Sequence, residues 1–191
     1  MREFWGVVYL IAPLLVGAVL SGLAIRYDLV PALRRPIDGG RTWRGRPLFG
    51  PNKTWRGVLT VCVGNAIGVG LQCTVLHDVP ALRAIELFDY GAVNGWLLGL
   101  LIGLLTALAE LPNSFMKRQS GVVAGGPGSG VSGAFFYVLD QVDVLIGLWL
   151  AYALVMRVTP ERVLLSFLIL FFGHQLVTVV GYGLGMRRTI R

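Results

Sequence analysis

The chain has 191 residues, of which 55% are apolar and 14% charged, and its formal net charge is +7. A soluble domain of this size could not present so much apolar surface to water, so a water-exposed globular fold is excluded. Lipid must cover much of the surface.

Five stretches are long and apolar enough to cross a hydrocarbon core of about 30 Å. They run over Phe4–Ile25, Gly57–Leu76, Val93–Ala109, Phe135–Met156 and Val163–Gly185. The expected fold is an all-α integral membrane protein of five transmembrane helices, forming one domain over residues 1–191. The first stretch is read as a retained helix, because its head, Met1-Arg2-Glu3, is not basic and its apolar run exceeds that of a signal peptide. Cys62 and Cys73 fall eleven residues apart on the second helix. That is roughly 16 Å along the axis, too far for a mutual disulfide.

The basic residues give an orientation through the positive-inside rule. Eight lie between Arg26 and Arg56; Lys117 and Arg118 follow the third stretch; Arg187, Arg188 and Arg191 close the tail. These regions share one side, whereas His77–Ala92 carries Asp78, Glu86 and Asp89 against Arg83 alone. The N-terminus is therefore expected outside and the C-terminus in the cytoplasm, with cytoplasmic loops after helices 1 and 3. The first loop alternates turn formers with cations and aromatics, from Pro36-Ile37-Asp38-Gly39-Gly40 to Gly45-Arg46-Pro47-Leu48-Phe49-Gly50-Pro51-Asn52-Lys53-Thr54-Trp55-Arg56-Gly57. That composition belongs to an ordered loop rather than a solvated charge run.

Two lysines stand against fifteen arginines. Both, Lys53 and Lys117, fall on the basic side, and an ammonium is a compact point charge that reaches between phosphate oxygens where a planar guanidinium cannot. Asp140 and Asp143 are three residues apart on the fourth stretch, so they project from one helix face. Carboxylates inside a membrane segment normally face a cavity and have partners. A hard divalent cation, Mg²⁺ above all, would reconcile the pair beside phosphates, with Glu110 as a third oxygen ligand; salt bridges to Lys117, Arg118 or a residue of the basic loop are the other arrangement that would satisfy them. The segment Gly121–Gly133 contains Gly128-x-Gly130-x-x-Gly133, but without a preceding strand it is a loop or linker rather than a dinucleotide fingerprint. Gly64-x-x-x-Gly68, Gly95-x-x-x-Gly99 and Gly181-x-x-x-Gly185 read as close-packing helix faces. His174 reads as a hydrogen-bonded packing residue.

Taken together, Pro36-Ile37-Asp38-x-Gly40, Gly45-Arg46-Pro47-Leu48-Phe49-Gly50-x-Asn52-Lys53-Thr54-Trp55-x-Gly57, Ser114-Phe115-x-Lys117-Arg118, Leu139-Asp140-Gln141-x-Asp143 and His174 followed by Tyr182-x-Leu184-Gly185 resemble the CDP-archaeol synthase family. That family is distantly similar to the CDP-diacylglycerol synthases. Gln141 stands where the diacylglycerol enzymes typically have arginine, and their His-Gly-Gly segment is absent, so the archaeal-type branch fits better. The chain departs from the family pattern at Thr178, where an asparagine is expected, and in its Arg187–Arg191 tail.

The resemblance implies a nucleotidyltransferase of the cell membrane, working in phospholipid biosynthesis and facing the cytoplasm. It would join CTP to a lipid phosphate, 2,3-bis-O-geranylgeranyl-glycerol 1-phosphate, and release pyrophosphate. Its implied partners are CTP, the lipid phosphate and the bilayer, with no nucleic acid. Lys53, Lys117, Asp140 and Asp143 would be catalytic. Asn52, Lys53, Thr54, Ser114, Lys117 and Arg118 would bind the CTP phosphates, Arg46 and Arg56 the lipid phosphate, and Asp140, Asp143 and Glu110 would hold Mg²⁺. The same chemistry on a diacyl phosphatidic acid is the nearest alternative, and a small ion or metabolite transporter is the rival from another class.

Overall fold

The computed structural model describes residues 1–124 and 130–183, with side chains omitted at 130–132, 174 and 176–183. Long helices dominate: α1 (Arg2–Arg26), α2 (Trp55–Thr74), α4 (Gly95–Gln119), α5 (Gly130–Tyr152) and α6 (Pro160–Gly183), with a single-turn α3 (Pro80–Arg83) between α2 and α4. Among the described residues, four helical segments are long and apolar enough to cross a membrane: Arg2–Arg26, Trp55–Asp78, Gly95–Gln119 and Gly133–Tyr152. Their outward faces are apolar, with Leu15, Val19, Leu97 and Leu150 all more than half exposed, as lipid-facing side chains are.

The third apolar stretch, expected to end at Ala109, continues as helix to Gln119. Pro112 and the polar run from Glu110 to Arg118 resemble a membrane exit in sequence. The helix nevertheless carries on, because Glu110, Asn113, Ser114 and Lys117 at helical spacing put polar groups on one face that a neighbouring helix can satisfy. Residues expected to follow the helix are therefore held by it.

Small residues let the helices touch backbone to backbone. A Cβ on Gly64 would lie 2.5 Å from the Gly17 Cα, one on Gly99 2.5 Å from the Ala66 Cα, and one on Gly147 2.4 Å from the Thr106 Cα. These contacts join α1 to α2, α2 to α4 and α4 to α5, in the manner of small-residue membrane interfaces. Gly68 packs on Pro13 and Gly95 on Cys73 and Val69; Gly185 and the His174 side chain lie outside the described residues. The core gathers Val7, Leu10, Val69, Ile102, Leu148 and Tyr152.

Hydrogen bonds lock this core from inside. Pro13 has no N–H to give the Tyr9 carbonyl one turn earlier, and Gln72 Nε2 of α2 donates to that oxygen at 2.6 Å. The Tyr152 hydroxyl donates to the Leu10 carbonyl at 2.9 Å, and Trp149 Nε1 to Ser166 Oγ at 3.0 Å. Together they tie α1, α2, α5 and α6.

The segment joining α1 to α2 folds back on itself. β1 (Thr42–Trp43) and β2 (Arg46–Pro47) form an antiparallel pair, with Thr42 opposite Pro47. Pro36 bridges Thr54, and the Ile37 N–H donates to the Lys53 carbonyl at 2.9 Å.

Candidate active site

The Asp38 carboxylate organises the loop. Its Oδ2 accepts the backbone N–H of Phe49 at 3.0 Å and of Gly50 at 3.4 Å, while Oδ1 accepts that of Gly40 at 2.9 Å. Burial alone would raise its pKa, but these backbone donors together hold it below the ordinary aspartate value. Gly50, at φ +92°, takes a conformation that side chains rarely adopt, and a Cβ there would meet Arg118 Cδ at 3.3 Å. The turn thus sets Phe49, Asn52 and Lys53 against α4.

From α4, residues one turn apart face the loop and α5: Glu110, then Asn113 and Ser114, then Lys117 and Arg118. From α5 come Asp140 and Asp143. Together they enclose a cleft of about 320 Å³, lined by Phe49, Asn52, Lys53, Glu110, Ser114, Lys117, Arg118, Ala124, Asp140 and Asp143. That volume is at the lower end of small-ligand sites. Two further cavities of about 350 Å³ lie elsewhere, one between apolar side chains such as Leu15, Val19 and Ile67, the other around the Glu3–Arg162 ion pair. Neither gathers comparable chemistry.

Opposite charges within the cleft pair across elements. The Lys53 ammonium contacts the Glu110 carboxylate, joining the loop to α4, and the Lys117 ammonium contacts Asp140, joining α4 to α5. Asn113 Nδ2 donates to Asp140 Oδ1 at 2.7 Å and to Asp143 Oδ2 at 2.8 Å. Arg118 is nearly buried, and its Nε and Nη1 have no hydrogen-bond partner among the described residues. A buried guanidinium with free donors is suited to an anion that brings several oxygens.

The structure therefore brings together Asn52, Lys53, Ser114, Lys117, Arg118, Glu110, Asp140 and Asp143. Three expected residues stand outside the cleft wall. The Thr54 hydroxyl accepts the Gly57 N–H at 3.2 Å as the N-cap of α2. Arg56 donates to Asp28 at 2.7 Å, beside the exposed Arg34. Arg46 donates to the Gln119 carbonyl while Gln119 Nε2 donates to the Pro47 carbonyl at 3.2 Å, strapping the strand pair to the end of α4. Sequence reasoning gave no role to Asn113 or Asp38. The signal for Asn113 was its register, three residues after Glu110 and four before Lys117. The glycine-rich segment lies mostly outside the described residues.

Mg²⁺ fits this donor set in a particular way. Among the described residues no three His, Cys, Asp or Glu side chains are grouped to hold a metal, so a cage of three carboxylates is not preformed. Two aspartates on one helix face remain, and both Asp143 Oδ1 and Asn113 Oδ1 are buried with no hydrogen-bond partner among the described residues. One or two carboxylates, completed by substrate phosphates and water, are the usual Mg²⁺ environment in phosphoryl-transfer enzymes.

Comparison with known proteins identifies the family. A family model described as CarS-like, CDP-archaeol synthase, matches residues 7–190. The CDP-archaeol synthase of Halorubrum lacusprofundi is 34% identical over 164 residues, covering 80% of this chain and 82% of that protein. That of Methanococcoides burtonii is 28% identical over 167 residues, covering 81% and 89%. A solved structure of an intramembrane enzyme for archaeal membrane lipids biosynthesis shares the fold, with a TM-score of 0.57 at 22% identity over 90% of this chain and 92% of that one. With its family model spanning nearly the whole length, the chain belongs to the CDP-archaeol synthase family of CTP-dependent cytidylyltransferases, membrane-embedded enzymes of lipid biosynthesis.

Proposed function

We propose that the chain transfers the cytidylyl group of CTP to the phosphate of 2,3-bis-O-geranylgeranyl-glycerol 1-phosphate, at a cleft facing the cytoplasm. The observation that carries this reading is the cleft itself, where two lysines, three carboxylates and a buried arginine whose Nε and Nη1 have no partner among the described residues meet. In-line displacement at a phosphate needs charge neutralised and atoms aligned, and this set supplies both.

An oxygen of the lipid phosphate attacks the α-phosphorus of CTP. The bond from that phosphorus to the bridging oxygen breaks, and pyrophosphate leaves with the electron pair. Lys53, Lys117 and Arg118 neutralise the transferring and leaving phosphates, and Asn52 and Ser114 donate to their oxygens. No general base is needed, because a phosphate monoester is already ionised near neutral pH. Asp140 and Asp143, with Glu110 once Lys53 has moved to a phosphate, would hold Mg²⁺, which when bound supplies charge neutralisation on the CTP phosphates. Arg46 and Arg56, outside the cleft wall, would hold the lipid phosphate on approach. The charge distribution supports an outside N-terminus and a cytoplasmic C-terminus, with α6 as a fifth span.

The test offers purified protein CTP with either the geranylgeranyl ether phosphate or a diacyl phosphatidic acid and identifies the product by mass. A CDP-ether lipid with stoichiometric pyrophosphate is expected. A product from the diacyl lipid alone would refute the substrate, and absence of Mg²⁺-dependent pyrophosphate release with both would refute the cleft as a transfer site.

A further inference from the structure

Asn113 is 4% exposed and sits on α4 between the two lysine-bearing ends of the cleft. Its single Nδ2 reaches one oxygen of each aspartate, at 2.7 and 2.8 Å. A primary amide has two N–H donors, and both are spent here. The amide therefore offsets the repulsion between two carboxylates without adding a cation of its own. Its Oδ1 is left buried with no partner among the described residues, and so is Oδ1 of Asp143, itself 6% exposed. An orphaned buried acceptor is unfavourable, and two of them on adjoining side chains are a cost that a cation would relieve.

We propose that Asn113 is a positioning residue that clamps Asp140 and Asp143 side by side and keeps one neutral oxygen of its own for a divalent cation. This rests on the metal reading above and adds a residue to it. An ammonium in the same place would neutralise the aspartates and compete with the ion; Lys117 does so from one side only, contacting Asp140 and leaving Asp143 to the amide. A carboxylate there would add repulsion and remove the donors. A leucine would leave both aspartates facing an apolar wall. Among residues of this size, asparagine gathers two anions while remaining neutral.

The experiment measures Mn²⁺ binding by electron paramagnetic resonance, and Mn²⁺-induced thermal shift, on full-length protein in detergent, with and without CTP. Asn113→Ala should weaken Mn²⁺ half-saturation about tenfold or more, move the Mg²⁺ dependence of turnover to higher concentration by a similar factor, and recover much of kcat at saturating Mg²⁺. Should Asn113→Ala fail to fold, Asn113→Leu keeps the volume and removes both donors and the acceptor, and it should weaken Mn²⁺ half-saturation and shrink the Mn²⁺-induced thermal shift by a similar factor. A lower Tm with unchanged Mn²⁺ half-saturation and unchanged thermal shift would mean packing alone and overturn the proposal. A parent protein whose turnover ignores divalent ions would instead overturn the metal reading, and the clamp with it.

Discussion

The Lys117 ammonium lies on the Asp140 carboxylate across the seam between α4 and α5, and Lys53 stands in the same relation to Glu110 across the loop seam. Each ion pair joins a group that would neutralise phosphate to one that would hold a cation. A nucleotide carrying its metal can replace both contacts at once, whereas nucleotide or metal alone strands one partner in a half-buried site. Replacing Lys53 or Lys117 by arginine retains the charge but not the point geometry, so turnover should fall about tenfold or more. Arg34→Lys, at an exposed pair with Asp28, should leave it unchanged. Steady-state rates of the three variants make the comparison, and equal tolerance would dismiss a phosphate role for the lysines.

Asp140→Asn and Asp143→Asn keep side-chain size and remove the anionic oxygen. As cation ligands, each should cost turnover by about 100-fold or more while the protein still inserts and folds. If Asp140 served only to balance Lys117, its loss would leave an uncompensated cation, and instability with retained activity would follow. Turnover at several Mg²⁺ concentrations, set beside thermal stability in detergent, separates the two outcomes.

The α4–α5 seam has no spare room at Gly147, where a Cβ would come within 2.4 Å of the Thr106 backbone. Gly147→Ala must push the helices apart, and Asp143 lies one turn away on the same helix. Turnover should drop at least several-fold although position 147 touches no substrate, and thermal stability should fall by about 1–3 kcal/mol. Gly22→Ala, with nothing within 4 Å of its would-be Cβ, is the matching control and should be silent on both.

Apolar length made the membrane helices legible, since about twenty consecutive apolar residues have few other uses. The two-lysine pattern and the Asp140–Asp143 spacing likewise pointed to side chains that share the cleft. Less visible was where α4 ends, because Glu110, Pro112 and Asn113 look like an exit from the bilayer and only the presence of α5 makes them an internal polar face. Thr54 and Arg56 sat in the same motif as Lys53, yet the fold spends one as a helix cap and pairs the other with Asp28. A motif records that residues matter together. It does not say which of them face the substrate and which hold the backbone that does so.

Orientation can be read directly from labelling. With Cys62 and Cys73 replaced by serine, single cysteines at Arg44 and Val123, both exposed, should react with a membrane-impermeant thiol reagent only from the cytoplasmic side. A cysteine at Arg83, exposed on α3, should react only from outside. Labelling of all three from one face would reject the proposed topology, and labelling of Arg44 from outside would invert it.

Asp38 gives the loop a pH dependence of definite sign. Its carboxyl is held below the ordinary aspartate value by the backbone N–H groups of Phe49, Gly40 and Gly50 acting against burial. A folded-state value below the unfolded one means that the charged form stabilises the fold. That contribution is complete above the unfolded value near pH 4, and it is lost as pH falls through the lower folded value. Asp38→Asn removes the charge at every pH and leaves a single acceptor oxygen for the three donors, a cost of about 1.5–3 kcal/mol for charge-assisted bonds. Near neutral pH the variant should therefore show faster proteolytic cleavage between Arg35 and Lys53 and a higher KM for CTP, because Phe49, Asn52 and Lys53 lose their common support. The stability difference from the parent should stay constant from about pH 7 to pH 5 and close only below about pH 4. A difference that closes above pH 5 would show that the carboxyl is not held low, and no difference at any pH would free the loop from Asp38 altogether.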